Sequence, residues 1–328
     1  MQNGVTFWTE GGPSIGMGHL MRCINIAHAL ESEDMPMHFL VNNERPVIDR
    51  LNDEALFHIV YPMTGRHAGR LTNGVVVIDT KRDVSAQVRT LREEGRKVVL
   101  IDNDSTVDVD AIVMPTPVYK GQDCGNLLSG RSYLIIGENF RKARGMEPVT
   151  HSAPLKVLVT MGGSDPFNLT EAVLKALWNI EGIEVTTVVG PAFKMTETME
   201  EFIRRSGERF VFVFNPRDMA PLMRDTHIAF TAVGTTVYEL AYMGVPSVLI
   251  GNYETDAEDL AALENLGICR NLGYYGDLDH SAISEAAEGF RDDPAGWTEM
   301  SLKARGLTDG DGASRIAALI RSLIEQKN

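Results

Sequence analysis

The sequence predicts an α/β protein of two doubly wound, Rossmann-like domains of similar size with a cleft between them. Three observations predict it. Short, wholly apolar segments such as Val75-Val76-Val77-Ile78 and Val98-Val99-Leu100-Ile101 alternate with amphipathic helical segments, the pattern of a parallel sheet covered on both faces. At 328 residues the chain is long for one core and comfortable for two. The alternation breaks in a charged stretch from Asn139 to Pro154 that holds Gly145 and Pro148, and then restarts. That break places the boundary between a domain of residues 1–148 and one of residues 149–328.

The elements follow in order. Val5-Thr6-Phe7-Trp8 reads as a buried strand, and Leu20, Cys23, Ile24, Ala27 and Leu30 give the next helix its apolar face. Strands are expected at Met37–Val41, Phe57–Tyr61, Val75–Ile78, Val98–Ile101, Ala111–Met114 and Tyr133–Ile136, with helices at Pro46–Leu56 and Val84–Glu94. Residues 65–73 carry turn residues and read as a loop. In the second half, Lys156–Met161, Glu184–Val189, Phe210–Phe214, Ile228–Thr231 and Ser247–Ile250 are strands. The helix lined by Leu169, Val173, Ala176, Leu177 and Ile180 has Asn168 as its N-cap, with Glu171 three residues on. Further helices are expected at 196–205, 219–224, 236–244, 256–266 and 313–326. Gly244 and then Pro246 make a well-signalled stop.

Composition narrows the function. A net charge of -14 argues against a nucleic-acid partner, whose phosphates need a basic surface. It leaves a phosphate ligand open, because helix N-termini bind anions without side-chain charge. No apolar run approaches the roughly 20 residues of a membrane span, and no basic-then-apolar leader is apparent. Cys23, Cys124 and Cys269 are too scattered for a disulfide framework or zinc site, and the eight histidines form no His-Glu-x-x-His pair. The expectation is a cytoplasmic protein with no metal and no cofactor, its oligomeric state left open.

Chemistry concentrates in a few stretches. Gly11-Gly12-Pro13-Ser14-Ile15-Gly16-Met17-Gly18-His19 turns from a strand into a helix, a geometry that brings backbone close to a ligand. His19 falls in the first helical turn, where the positive end of the macrodipole disfavours a cationic ring. A neutral imidazole there accepts a proton from water or a hydroxyl; the plainer reading is a flexible turn with His19 in solvent. Asp79 and Asp102 end strands, where open parallel sheets bind ligands, although Asp also caps helices and turns at such places. Gly162-Gly163-Ser164 is a weak anion cradle. Gly234-Thr235-Thr236-Val237-Tyr238-Glu239 offers backbone access, two hydroxyls, a helix N-terminus and an acid for a ribose diol. Its spacing equally fits a capping box from Thr236 to Glu239. Walker A, three-glycine dinucleotide and Gly-x-Ser-x-Gly motifs are all absent, which leaves a kinase, a nicotinamide dehydrogenase and a serine hydrolase unsupported.

Taken together, Ile15-Gly16-Met17-Gly18-His19-Leu20-Met21-Arg22-Cys23, Gly162-Gly163-Ser164-Asp165-Pro166-Phe167-Asn168-Leu169-Thr170 and Gly234-Thr235-Thr236-Val237-Tyr238-Glu239 resemble the PseG/SpsG group. That group comprises UDP-sugar hydrolases of pseudaminic acid synthesis and spore coat polysaccharide proteins, with a glycosyltransferase-B fold like that of MurG. The resemblance implies a nucleotide-sugar hydrolase, acting on a UDP-sugar or another nucleotide sugar. In it His19 activates water for attack on the anomeric carbon. It implies nucleotide contacts from Gly163, Ser164, Gly234, Thr235, Thr236 and Glu239, with Met219 bordering the base pocket. Gly16, Gly18, Asp79, Lys81, Asp102 and Glu254 fall on the sugar side. There the chain departs from its relatives: Thr80-Lys81 replaces a His-Tyr pair, Glu254-Thr255 an Asn-Gln, and Asn103 a second Asp. The sugar therefore stays open, and so do two alternatives: an inverting glycosyltransferase and a catalytically silent nucleotide-sugar binding protein.

Overall fold

The computed structural model describes residues 4–31, 35–65, 68–103, 105, 107–119, 121, 125–145 and 152–326. It divides into two compact units, residues 1–138 with 308–328 and residues 139–307. The expected 148/149 boundary and Cys124 lie outside the described residues.

Unit 1 opens with β1 (Val5–Thr9), α1 (Gly18–Leu30), β2 (Met37–Val41), α2 (Arg45–Asp53) and β3 (His58–Val60). Next come β4 (Val75–Asp79), α3 (Ser85–Glu93), β5 (Lys97–Ile101), β6 (Ala111–Met114) and β7 (Leu127–Ser129). The strands pair in parallel in the order β3-β2-β1-β4-β5-β6-β7. Because β1 leads to β2 on one side and β4 lies on the other, the sheet's switch point falls between β1 and β4. Ligands of doubly wound sheets bind at that place, beyond the carboxyl ends of the strands.

The short helix α4 (Glu138–Ala143) leads into unit 2. There β8 (Leu155–Thr160), α5 (Leu169–Leu177), β9 (Ile183–Val189), α6 (Glu197–Arg205), β10 (Phe210–Phe214) and α7 (Ala220–Arg224) form the first half. The second half is β11 (Ile228–Ala232), α8 (Thr235–Met243), β12 (Ser247–Gly251), α9 (Ala257–Asn265), β13 (Cys269–Tyr274), α10 (His280–Asp292) and α11 (Pro294–Arg305). The sheet, again parallel, runs β10-β9-β8-β11-β12-β13. Its switch point lies between β8 and β11.

Two expectations need correction. Tyr133–Ile136 is not a strand: Arg131–Tyr133 forms a 3-10 turn and β7 is the edge strand. Leu134, Ile135 and Ile136 are buried, so the apolar run is a packed connector. The backbone at residue 134 passes so close to Gly312 that a Cβ there would lie 2.2 Å from the Leu134 carbonyl oxygen. The last helix, α12 (Gly312–Glu325), belongs to unit 1 and not to the second domain. Ile316, Ala317, Ile320 and Leu323 on α12 share a buried cluster with Leu20, Ile24 and Ala27 of α1. Arg321 Nη2 also donates to the Ala29 carbonyl at 2.8 Å.

Sequence reasoning missed β13, α10 and α11. Arg270, Asn271 and Gly273 interrupt any apolar run in β13. In α10 the buried face is Ile283, Ala286, Ala287 and Phe290, a helical period carried half by alanine and so weak in hydropathy.

Because Ile320 is fully buried between α12 and the sheet, Ile320→Ala is expected to lower the stability of unit 1 by about 2–5 kcal/mol. Urea denaturation measures it, and a loss well under 1 kcal/mol would show that α12 is not part of that core.

Candidate functional site

In unit 1 the loop after β1 is closed on itself. Gly12 and Gly16 exchange backbone hydrogen bonds at 2.9 and 2.8 Å, and Gly16 holds φ +81°, a left-handed conformation that glycine adopts without strain. Asn42, just past β2, accepts from the Gly11 amide at 3.1 Å and donates to its carbonyl at 2.7 Å. So fixed, the loop starts α1 at Gly18 and sets His19 in its first turn.

His19 does not stand alone in solvent. Its Nδ1 lies 2.6 Å from Asp79 Oδ1, with 12% of the His19 side chain exposed and none of Asp79. Arg22, one helical turn on, donates from Nε to Asp79 Oδ2 at 2.9 Å and from Nη2 to Asp79 Oδ1 at 2.7 Å. Its Nη1 reaches Asp102 Oδ2 at 3.0 Å, and Lys81 Nζ donates to Asp102 Oδ1 at 2.6 Å. Burial pushes the Asp79 carboxyl up, but the Arg22 charge and the hydrogen bonds from His19 and Arg22 outweigh it and hold Asp79 below the usual carboxylate range. Asp79 and Asp102 are therefore not helix or turn caps. They join His19, Arg22 and Lys81 in one chain of charge at the switch point of the sheet.

Beside them, Glu10 is buried directly after β1. It accepts from Thr80 Oγ1 at 2.5 Å and from Arg82 Nε at 2.9 Å. Asn103 donates to the carbonyls of Thr80 and Arg82 at 2.5 and 2.9 Å. Thr80 and Asn103 thus tie the loop after β4, while Lys81 stays exposed. Sequence reasoning gave Arg22 and Glu10 no role. The signal for Arg22 was its i+3 spacing from His19, which puts both on one helix face.

In unit 2 the two loops at the switch point differ. After β8, Gly162 has φ +81° and Asn168 φ +55°. Asn168 makes no cap bond; Asp165 does, accepting from the Leu169 and Thr170 amides at 2.8 and 2.9 Å. Glu171 does not reach back either, and takes a hydrogen bond from Thr196 instead. The start of α5 is thereby closed to an anion by its own carboxylate, which leaves only the Gly163 and Ser164 backbone of the expected cradle.

After β11 the opposite holds. Gly234 precedes α8, and no side chain caps the helix. The capping box between Thr236 and Glu239 does not form. A Cβ built on Gly234 would meet nothing within 4 Å, so packing does not call for glycine there. Among the described residues no hydrogen bond or ion pair reaches the Glu239 carboxylate, which lies half-buried on the first turns of α8. Burial pushes that carboxyl up to about 7. Met219 sits just before α7. Glu254 is exposed in a 3-10 turn after β12, where Asp256 holds the Asn252 and Tyr253 amides at 2.8 and 3.0 Å. Among the described residues no three His, Cys, Asp or Glu side chains are grouped to hold a metal ion, and no helix is long and apolar enough to cross a membrane.

Residues 157–291, within unit 2, match the glycosyltransferase family 28 C-terminal domain. Over 98% of its length the chain is 26% identical to the spore coat polysaccharide biosynthesis protein SpsG of Bacillus subtilis, covering 99% of that protein. It is 24% identical over 76% of its length to an uncharacterised protein of Methanocaldococcus jannaschii, of which it spans 56%. Its fold is that of MurG from Acinetobacter baumannii (TM-score 0.67, 15% identity, 98% of this chain and 99% of that one). It is also that of the spinosyn forosaminyltransferase SpnP (TM-score 0.69, 12% identity, 99% and 100%). The MnaA–UDP co-structure from S. aureus is similar as well (TM-score 0.67, 11% identity, 100% and 99%). With two parallel-sheet units and a likeness to SpsG that runs the length of both, this chain has a glycosyltransferase-B fold and is similar to SpsG throughout.

Proposed function

We propose that this protein hydrolyses a nucleotide sugar, with UDP as the nucleotide, and releases a free amino- or deoxy-sugar for surface polysaccharide or nonulosonic acid synthesis of the pseudaminic acid kind. The family match and the likeness to SpsG support an enzyme that uses nucleotide sugars. The UDP named in the MnaA co-structure supports the choice of nucleotide. The hydrolytic step rests on one observation: a histidine whose ring is held against a buried carboxylate at a sheet switch point.

In this reading unit 2 supplies the nucleotide contacts. The uncapped amides of Thr235 and Thr236 and the backbone of Gly163 and Ser164 meet the diphosphate. Glu239 takes the ribose hydroxyls, and the stretch before Met219 borders the base. Unit 1 supplies the reacting group. His19 takes a proton from water, the water oxygen bonds to the anomeric carbon, and the bond from that carbon to the diphosphate breaks. The electron pair leaves on the diphosphate oxygen, where helix-terminal amides stabilise the growing charge. Gly16 and Gly18 leave room for the sugar, and Asp102 and Lys81 are its polar surroundings in unit 1. The family 28 domain favours a second reading, in which His19 deprotonates an acceptor hydroxyl and the sugar is transferred.

Incubation with UDP-sugars and no acceptor separates the two. UDP release is expected, falling on the order of 10²-fold or more in His19→Ala; full activity in that variant removes the mechanism, and strict dependence on an added acceptor favours transfer. Glu239 supplies a second test. A carboxyl raised to about 7 in the folded state binds more protons there than in the unfolded chain. Its contribution to stability is therefore complete below its ordinary range near 4.5 and is lost as pH rises to about 7. The ionised form is the better acceptor for ribose hydroxyls, so UDP affinity should rise through the same window as stability falls. Calorimetry and urea denaturation at pH 5, 6 and 7.5 measure both. Glu239→Gln should flatten both trends relative to the parent, and parallel curves for the two proteins would count against this role.

A further inference from the structure

The charge network of unit 1 holds more than the proposed proton transfer needs, and its excess has a direction. We infer that Asp79 and Arg22 form a positioning pair that locks His19 in its Nδ1–H tautomer and keeps the accepted proton on the ring. This rests on His19 being the base of the proposed reaction.

The assignment follows from donors and acceptors. Nδ1 of His19 lies within hydrogen-bond distance of two groups, Asp79 Oδ1 at 2.6 Å and Arg22 Nη2 at 2.8 Å. An ionised carboxylate has no proton to give, so a bare Nδ1 would set lone pair against lone pair at 2.6 Å. Arg22 Nη2 already has an acceptor in the same Asp79 oxygen at 2.7 Å and does not need the ring. A proton on Nδ1 satisfies the shorter contact, to the carboxylate, and leaves the Arg22 nitrogen, already bonded to Asp79, as a neighbour of the ring and not a donor to it. Nε2 is then the basic nitrogen, and no described residue bonds to it.

The carboxylate is itself immobile. Both of its oxygens take the Arg22 fork, Thr9 Oγ1 donates to the Asp79 backbone carbonyl at 3.2 Å, and the side chain has no exposed surface. When Nε2 takes the proton, the ring becomes an imidazolium beside a fixed negative charge. Asp79 does not take that proton onward, because the guanidinium opposes its neutralisation. Asp102 and Lys81 are the remaining charges on this network. Through Arg22, Asp102 supports the fork that aims at Asp79. Asp79, which has no exposed surface, and Arg22, which is mostly buried, therefore act through His19.

The tautomer is read directly by long-range proton–nitrogen correlation spectra of protein carrying 15N-histidine, at a pH where the ring is neutral, with His19→Gln identifying the signal. The parent should show Nδ1 protonated, and Asp79→Asn should show the Nε2–H form. In turnover, Asp79→Asn is expected to lower kcat on the order of 10²-fold or more with KM within a few-fold. Arg22→Lys, which keeps the charge without the fork, should fall between the parent and Arg22→Gln. An Nε2–H ring in the parent, or Asp79→Asn at the parent's kcat, overturns the pairing. Should Asp79→Asn fail to fold, the parent's tautomer and the order of the two Arg22 variants decide. Because the tautomer needs no turnover, an Nδ1–H ring in a protein that releases no UDP would remove the proposed reaction and leave the pairing standing. An Nε2–H ring in an active hydrolase would do the reverse.

Discussion

A carboxylate with no exposed surface ends the central strand of the first sheet, and one guanidinium answers it. Removing an ion from water costs several kcal/mol even after relaxation. Asp79 recovers that cost only because Arg22 meets both its oxygens in a planar fork, the strongest geometry such a pair can take. Deleting the arginine alone would leave the buried charge with the His19 ring and no cation in a fork, a loss of about 3–5 kcal/mol. The pair fixes where α1 can start relative to β4, since Arg22 lies on the first turns of that helix. The glycine loop ahead of α1 must then close within the few residues that remain. The Gly12–Gly16 hydrogen bonds and the Asn42 clasp do this. The placement of His19 is a consequence of these constraints.

The second sheet solves its switch point differently. One of its two loops spends an internal carboxylate: Asp165, buried and raised by that burial despite the amides it accepts, fills the start of α5. The other leaves α8 without a side-chain cap and, among the described residues, Glu239 without a hydrogen bond or ion pair. Free N–H groups at the head of a nine-residue helix and a desolvated carboxyl a turn later are both unfavourable in an isolated protein. Neither is relieved by a neighbour that the fold could easily have supplied, as Asp165 shows nearby. A ligand with an anionic part and hydroxyl donors would relieve both together, which is the physical ground for the proposal that the nucleotide binds here.

Much of this was legible in the residues, for identifiable reasons. Central parallel strands are buried on both faces, so Val75–Asp79 and Lys97–Ile101 announce themselves as apolar runs. Gly244 and Pro246 stop α8 by conformational rules that act within a few residues. What the sequence could not carry was partnership at long range. The apolar stripe of α12 is visible, but nothing in it names α1 as its partner across almost the whole chain. Asp79 and Asp102 stood out as ligand-facing or capping acids, because strand ends host both; only the fold brings Arg22 between them. Thr236 and Glu239 had capping-box spacing, yet α8 begins one residue earlier, at Thr235, and the register fails.

The residues expected to depart from the family pattern divide by burial. Thr80 and Asn103 are both buried and hold the loop after β4, Thr80 through Glu10 and Asn103 through two carbonyls. Lys81 is the exception. It is 66% exposed, and its partner Asp102 is shared with Arg22. An exposed pair of this kind is worth about 0–1 kcal/mol, far less than the buried fork at the other end of the same network. The network is therefore stiff where it meets His19 and weak where it meets solvent. A change at Lys81 alters the outer charge while Arg22 keeps both its two bonds to Asp79 and its contact with Asp102. The placement of His19 and the polarity at the outer end of the network can thus vary independently.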